Sequence, residues 1–181
     1  MEKNYSESAA YFITLKTTGN CRYFDEEIIC ELFIENLNYA KEHMDFLLLA
    51  YKINPDNVEI FLIPAGKYNC SQIVERLKFN FEYSCNIMIN NDNTAMATED
   101  NLLKYFNSLI FNFKTIKNKF QKKYGNTNTF PEFKWKHSVY NRITRKQNEF
   151  IMVMERIQRE WPEKNKGIKT PWYWIAPYEE K

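Results

Sequence analysis

Two β-favouring runs, 46–53 (FLLLAYKI) and 58–63 (VEIFLI), are separated only by Asn54-Pro55-Asp56-Asn57. No other feature constrains the fold as strongly. Proline presets φ for a turn, and Asn and Asp side chains bond their own backbone, so these four residues make a turn. The first run reads as a buried strand, and the two together as an antiparallel hairpin.

The remaining segments arrange themselves around that hairpin. Residues 11–17 (YFITLKT) read as a strand, ended by Gly19-Asn20. Asp25 is placed to cap a helix running to about His43, with Glu26 and Glu27 at its positive N-terminal end. Ile29, Leu32, Phe33, Leu37, Ala40 and Met44 form its single apolar stripe. Residues 64–69 are a loop, and 71–88 a second amphipathic helix with Ile73, Val74, Leu77, Phe81 and Cys85 on one face. A polar loop at 90–98 leads to a third helix over 99–123, and 125–131 is a linker. Residues 133–143 read as a strand or bent hairpin, and 147–160 as a last helix broken at Trp161-Pro162. The expected class is therefore α+β: a ferredoxin-like antiparallel sheet with helices on one face, plus an inserted helix and a C-terminal helix. The second sheet face is expected to stay free for a ligand. One domain accounts for all 181 residues, with the helical insertion at about 91–130.

Composition removes several classes. Hydrophobic residues make up 44% of the chain and aromatics 17%, too many for a disordered protein. The longest stretches without a charge are nine residues, as at 105–113, far short of the ~20 a spanning helix needs. The first twelve residues hold acids and no apolar core, which argues against a signal peptide and for a cytoplasmic protein. Cys21, Cys30, Cys70 and Cys85 show no C-x-x-C spacing and read as reduced thiols. Only His43 and His137 are available for a histidine-based metal centre.

The charge distribution is more telling than the net charge of +2. Between residues 112 and 146 there are ten basic residues and one acid, Glu132, so this block carries +9 and the rest of the chain −7. A concentrated basic block is the footprint expected of phosphate-backbone binding. Tyr124, Trp135 and Tyr140 interleave with it and could stack bases. A solvated, lysine-rich face is the plain alternative. The leading contact residues are Lys119, Lys122, Lys123, Lys134, Lys136, Arg142 and Arg145.

Several segments, taken in order, resemble the REP-associated tyrosine transposases, a branch of the single-tyrosine HUH transposases. They are the strand at 11–17, Phe24-Asp25-Glu26-Glu27 opening a helix, and Leu49-Ala50-Tyr51-Lys52-Ile53 running into a Pro-containing turn. Ser71-Gln72-Ile73-Val74-Glu75-Arg76-Leu77-Lys78, Phe133-Lys134-Trp135 and Val139-Tyr140-Asn141-Arg142-Ile143 follow. The resemblance covers about residues 9–90 and 131–175. It implies a strand bearing two histidines at i and i+2, which share one face and bind one divalent ion. Here those positions carry Asn57 and Glu59. Both still offer oxygen ligands of the kind Mg²⁺ or Mn²⁺ accepts. The resemblance also implies a nucleophilic tyrosine on the last helix, and the matching position is Arg156. A guanidinium stays protonated and cannot attack phosphorus. Glu160, one turn on, matches the place of a third ligand.

At Asn57 and Glu59 the alternatives are polar residues on an open strand face, a remnant metal site with Glu160, or a direct DNA contact. Tyr140 is the candidate for a relocated nucleophile; the plain reading is a packing residue. Trp172-Tyr173-Trp174 reads as a hydrophobic staple across the sheet. The expected function is binding of single-stranded or hairpin DNA without nicking and without a required cofactor. The alternatives are a metal-dependent nicking enzyme with remodelled residues, or a non-catalytic interaction subunit. The stripe on the third helix leaves a homodimer open.

Overall fold

The computed structural model describes residues 9–90, 100–125, 130–164 and 172–177, with side chains left undescribed at 100–111, 147 and 160–164. Of the polar loop predicted at 90–98, Asn90 is the end of a helix and the rest lies outside the described residues, as does most of the 125–131 linker. The hairpin is as predicted: β2 (Phe46–Asn54) and β3 (Asn57–Pro64) are antiparallel, with Asn54 opposite Asn57. β1 (Ala10–Lys16) pairs with β3 on its other side and with β4 (Tyr140–Thr144) beyond. A fifth strand, β5 (Tyr173–Ile175), pairs with β2. The sheet order is β4-β1-β3-β2-β5. Its first four strands are the ferredoxin-like arrangement, with β5 added at the edge.

Helices α1 (Glu27–Met44) and α2 (Cys70–Asn90) cover one face. Ile13, Leu15, Val58, Ile60 and Leu62 from the sheet meet Ile29, Leu32, Phe33, Leu37, Ile73, Leu77 and Phe81 there, each buried. At about 1.5–3 kcal/mol per large apolar side chain, this cluster is the principal source of stability. α3 (Asp100–Tyr124) packs against α1 and α2 and adds Phe113, Ile116 and Phe120 to the same core.

The second face is not left free. α4 (Gln147–Lys164) lies across it. Phe150, Val153, Met154 and Ile157, spaced as one helical stripe, pack on Ala10, Phe12, Ala50 and Phe61. These contacts cover the centre of the sheet and leave β4 largely uncovered: on the α4 face Tyr140 is 62% exposed, on the other face Ile143 is 47% exposed, and only Thr144 at its end is buried. α4 also continues to Lys164 through Pro162, so the proline does not break it.

Two further expectations are corrected. Of the strand or bent hairpin predicted over 133–143, the structure keeps β4 and a single antiparallel bridge between Trp135 and Thr17. Phe133 and Trp135 are core residues instead, 0% and 7% exposed. Asn86 on α2 holds Phe133 at both ends: the Asn86 Oδ1 accepts from the Phe133 amide at 2.7 Å, and its Nδ2 donates to the Phe133 carbonyl at 3.0 Å. The cap of α1 is Glu26 and not Asp25. Glu26 Oε1 accepts from the Ile28 amide at 3.2 Å, while Asp25 is bonded by Arg22.

Glu26 also fastens α3. Lys123 Nζ is 2.7 Å from Glu26 Oε2, and the Tyr124 hydroxyl donates to the same oxygen. Burial pushes the Glu26 carboxyl up, but Lys123, Tyr124 and the Ile28 amide together outweigh it and hold the carboxyl below its ordinary 4.5. Its stabilisation is therefore complete above pH 4.5 and fades as pH falls through the lowered folded value. Glu26→Gln will lower the melting temperature by about 5 °C near neutral pH, a cap-plus-hydrogen-bond loss of roughly 2 kcal/mol. Thermal melts across pH will show the gap from wild type narrowing below pH 4.5. An equal gap at every pH would exclude a role for the ionised carboxylate.

Candidate nucleic-acid interface

Hairpin register decides what lies under α4. Lys52 is opposite Glu59, Glu59 opposite Thr14, Thr14 opposite Tyr140, and Lys52 opposite Tyr173 on β5. Directly paired residues in antiparallel strands point to one face. One side chain from each strand therefore forms a row: Tyr140, Thr14, Glu59, Lys52, Tyr173. Strands are ~4.8 Å apart, so the Tyr140 backbone is about 10 Å from that of Glu59.

The centre of the row is an ion cluster. Lys52 Nζ, fully buried, is 3.0 Å from Glu59 Oε2, and Arg156 Nη2 on α4 is 4.0 Å from the same oxygen. The Arg156 guanidinium lies over the Phe12 ring, 4.6 Å from its centroid. One carboxylate thus faces two cations. Asn57 shares the face of Glu59, but its amide is committed to the turn: Oδ1 accepts from Asn54 Nδ2 at 2.9 Å and Nδ2 donates to Asp56 Oδ1 at 2.7 Å. Glu160 is a turn beyond Arg156 on the α4 backbone, and its side chain lies outside the described residues. The structure thus brings Glu59 and Arg156 within 4.0 Å of each other. It adds Lys52, which sequence reasoning did not single out.

Of the three candidate ligands, the two whose side chains are described, Asn57 and Glu59, do not by themselves fit a divalent ion. A metal at Glu59 would share a carboxylate already held by a buried ammonium and would face a guanidinium, and the Asn57 oxygen is engaged elsewhere. Among the described residues there is no group of three or more His, Cys, Asp or Glu placed to hold a metal.

The basic block divides into two. Lys119 and Lys123 on α3 are bound by acids of the α1 region, Lys119 Nζ at 2.8 Å from Glu31 and Lys123 at 2.7 Å from Glu26. Lys122 is exposed on the same helix. These residues belong to the helical side of the sheet. The second half follows the β1–β4 edge. The 134–136 segment is pinned along the end of β1: the Thr18 amide donates to the Lys134 carbonyl at 2.8 Å, and the Lys136 amide to the Lys16 carbonyl at 2.7 Å. Trp135 Nε1 donates to the Lys78 carbonyl, and Lys78 Nζ to the Lys136 carbonyl at 2.9 Å. Burial draws the Lys78 ammonium below its ordinary value, against the pull of Glu82 and Glu75. Lys134 and Lys136 meet local partners, Glu132 at 3.0 Å and Asn20 at 2.7 Å. Arg142 is opposite Phe12, so it stands on the α4 face, and Arg145 is exposed just past β4. With exposed Lys16, these residues make a cationic border beside the uncovered strand.

The clefts elsewhere are small. One of about 270 Å³ lies between α1 and α3, lined by Glu31, Glu35, Asn112 and Lys119 among others, and one of about 150 Å³ is bordered by Tyr39, His43, Tyr68 and Arg76. Neither is at the ion cluster.

No protein-family model matches the chain, and no curated protein sequence does. Among solved structures, the chain is similar to a REP-associated tyrosine transposase bound to a REP hairpin. The TM-score is 0.54 at 12% identity, over 93% of this chain and 75% of that one. The likeness is one of fold alone: an α+β arrangement on an antiparallel sheet. Among the described residues no helix is long and apolar enough to cross a membrane.

Proposed function

We propose that the chain is a nucleic-acid-binding protein of transposase-like fold that holds single-stranded or hairpin DNA along its β1–β4 edge and does not cut it. The observation that carries this reading is the bare β4 strand bordered by Lys16, Lys134, Lys136, Arg142 and Arg145. A similar fold that binds a hairpin supports it. Phosphates would engage the cations, and exposed Tyr140 offers a ring for a base to stack on. Lys119 and Lys123 act chiefly as fasteners of α3 to the α1 region, and Lys122 lies outside the primary contact.

Arg156 cannot serve as a nucleophile, which supports the absence of nicking. A second reading has its own observation: Tyr140 is exposed and shares a face and a row with Glu59. In it, the Tyr140 oxygen attacks the phosphorus of a phosphodiester and loses its proton to water, forming a phosphotyrosine bond as the bond from phosphorus to one sugar oxygen breaks and that oxygen leaves as a hydroxyl. A fluorescein-labelled strand folding into one hairpin, incubated with protein and Mg²⁺ or Mn²⁺, will be retarded on a native gel and intact on a denaturing gel. Cleavage that Tyr140→Phe abolishes would replace the first reading with the second.

A further inference from the structure

The last turns of α1, residues 64–69 and the first half of α2 border two adjoining clefts on the helical side of the sheet. The smaller, of about 150 Å³, is lined by Tyr39, His43 and Asn80 among others, and the larger, of about 330 Å³, by Phe79 and Glu75 among others. Met44, Tyr68 and Arg76 belong to both. The rings are held in place by local bonds. His43 Nδ1 is 2.9 Å from the Tyr39 carbonyl oxygen, and the two rings stack with centroids 3.9 Å apart. Tyr68 directly precedes a reciprocal cap: Asn69 Oδ1 accepts from the Gln72 amide at 3.0 Å, and Gln72 Oε1 from the Asn69 amide at 3.0 Å. The Ala65 amide donates to the Asp45 carbonyl at 2.9 Å, which ties this loop to the end of α1.

Two polar groups here have no use within the fold. Asn80 is 2% exposed, and its Oδ1 has no hydrogen-bond partner. A buried acceptor without a donor costs stability, and one on a residue that borders a cleft is accounted for by a donor on a ligand. Arg76 is paired with no acid among the described residues. A second cation is close by, Lys67 Nζ lying 5.0 Å from the centroid of the Tyr68 ring. The ligand therefore needs a flat ring, an N–H donor and an anionic group. A cavity of about 150 Å³ holds one six-membered ring and not two fused rings.

We propose that the two clefts bind one pyrimidine nucleotide, its base in the smaller cleft beside the His43–Tyr39 pair and its phosphate at Arg76. The 4-amino group of cytosine or the N3–H of thymine supplies the donor for Asn80 Oδ1. Arg76 offers the phosphate a fork of donors. The clefts are separate from the β4 edge, so the proposal stands without the nucleic-acid reading above. A free nucleotide and an unpaired pyrimidine in a strand present the same chemistry, and the test separates them.

Isothermal titration of the full chain with deoxycytidine monophosphate will give a single saturable site. Deoxyadenosine monophosphate will bind about tenfold more weakly, because its second ring overfills the cleft. Inorganic phosphate alone and deoxycytidine alone will each bind about tenfold more weakly than the nucleotide that joins them. Arg76→Gln will weaken the nucleotide about tenfold and leave deoxycytidine unchanged, since one charge-assisted contact is lost. Asn80→Leu will abolish binding and melt no lower than wild type, because an unmet acceptor gives way to an apolar group of similar size. If Asn80→Leu fails to fold, Arg76→Gln carries the test. No binding by wild type, a purine or phosphate held as tightly as the pyrimidine nucleotide, or a folded Arg76→Gln variant that binds it like wild type would each overturn the proposal. Anisotropy with the labelled hairpin strand identifies the source. Weaker strand binding by Arg76→Gln assigns the site to an unpaired base of the strand, and unchanged strand binding assigns it to a free nucleotide. Failure of wild type to bind the strand strikes the nucleic-acid reading alone.

Discussion

Glu59→Ala will lower the melting temperature by about 10 °C, although the residue contributes almost nothing to the apolar core. Removing the carboxylate leaves the fully buried Lys52 ammonium with Arg156 as a neighbour of like charge. Breaking a buried pair from one side costs roughly 3–5 kcal/mol, because the remaining charge stays desolvated. In a chain of this size each kcal/mol is worth ~2–4 °C. The double variant Lys52→Met/Glu59→Leu will recover most of the loss, since neither charge is then stranded. The exposed Arg22–Asp25 pair, with side chains 67% and 45% exposed, is the internal control. Asp25→Asn there will shift stability by no more than about 0.5 kcal/mol. Thermal melts of wild type and the three variants decide the matter. A Glu59→Ala loss no larger than that of Asp25→Asn would show that the cluster is not the buried unit described here.

The second large effect concerns the border of β4. Replacing Lys134, Lys136, Arg142 and Arg145 together with Gln will weaken binding of a hairpin strand by about two orders of magnitude at moderate salt. It will also flatten the slope of log K against log salt by ~2.8, at ~0.7 for each phosphate that is no longer neutralised. All four are surface residues outside the apolar core, so the melting temperature will change little. Replacing Lys119 and Lys122 instead will leave the salt slope nearly unchanged, because both sit on α3, on the helical side of the sheet and away from β4. Anisotropy titrations at several salt concentrations separate the two outcomes. An equal effect from the α3 pair would move the interface to the helical side.

Much of this architecture is encoded locally. The turn at 54–57 joins runs too apolar to be anything but paired strands, and its length also fixes Lys52 opposite Glu59. A lysine within FLLLAYKI facing a glutamate across a known turn is thus a readable signal for the ion pair, and hydrophobic patterning alone does not reveal it. Glu59 and Arg156 stand out in the sequence only through the resemblance, since neither is marked by local patterning. What lies beyond local reading is decided by tertiary contacts. Phe133 and Trp135 have strand-like composition, but their backbone is taken by Asn86 and Glu82 of α2 and their rings by the core. β5 is three residues long and exists because the edge of β2 is available to it. The basic block is continuous in sequence and split in space, because α3 docks on α1 and carries its lysines to the acids there.

The central claim is that nucleic acid is held along the β1–β4 edge. Lysine acetylation read by mass spectrometry, with and without a bound hairpin strand, tests it at the level of single residues. Lys16, Lys134 and Lys136 will be shielded by the strand, while Lys119 and Lys122 will label equally in both states. Shielding of Lys119 and Lys122 with Lys134 and Lys136 unaffected would contradict the account.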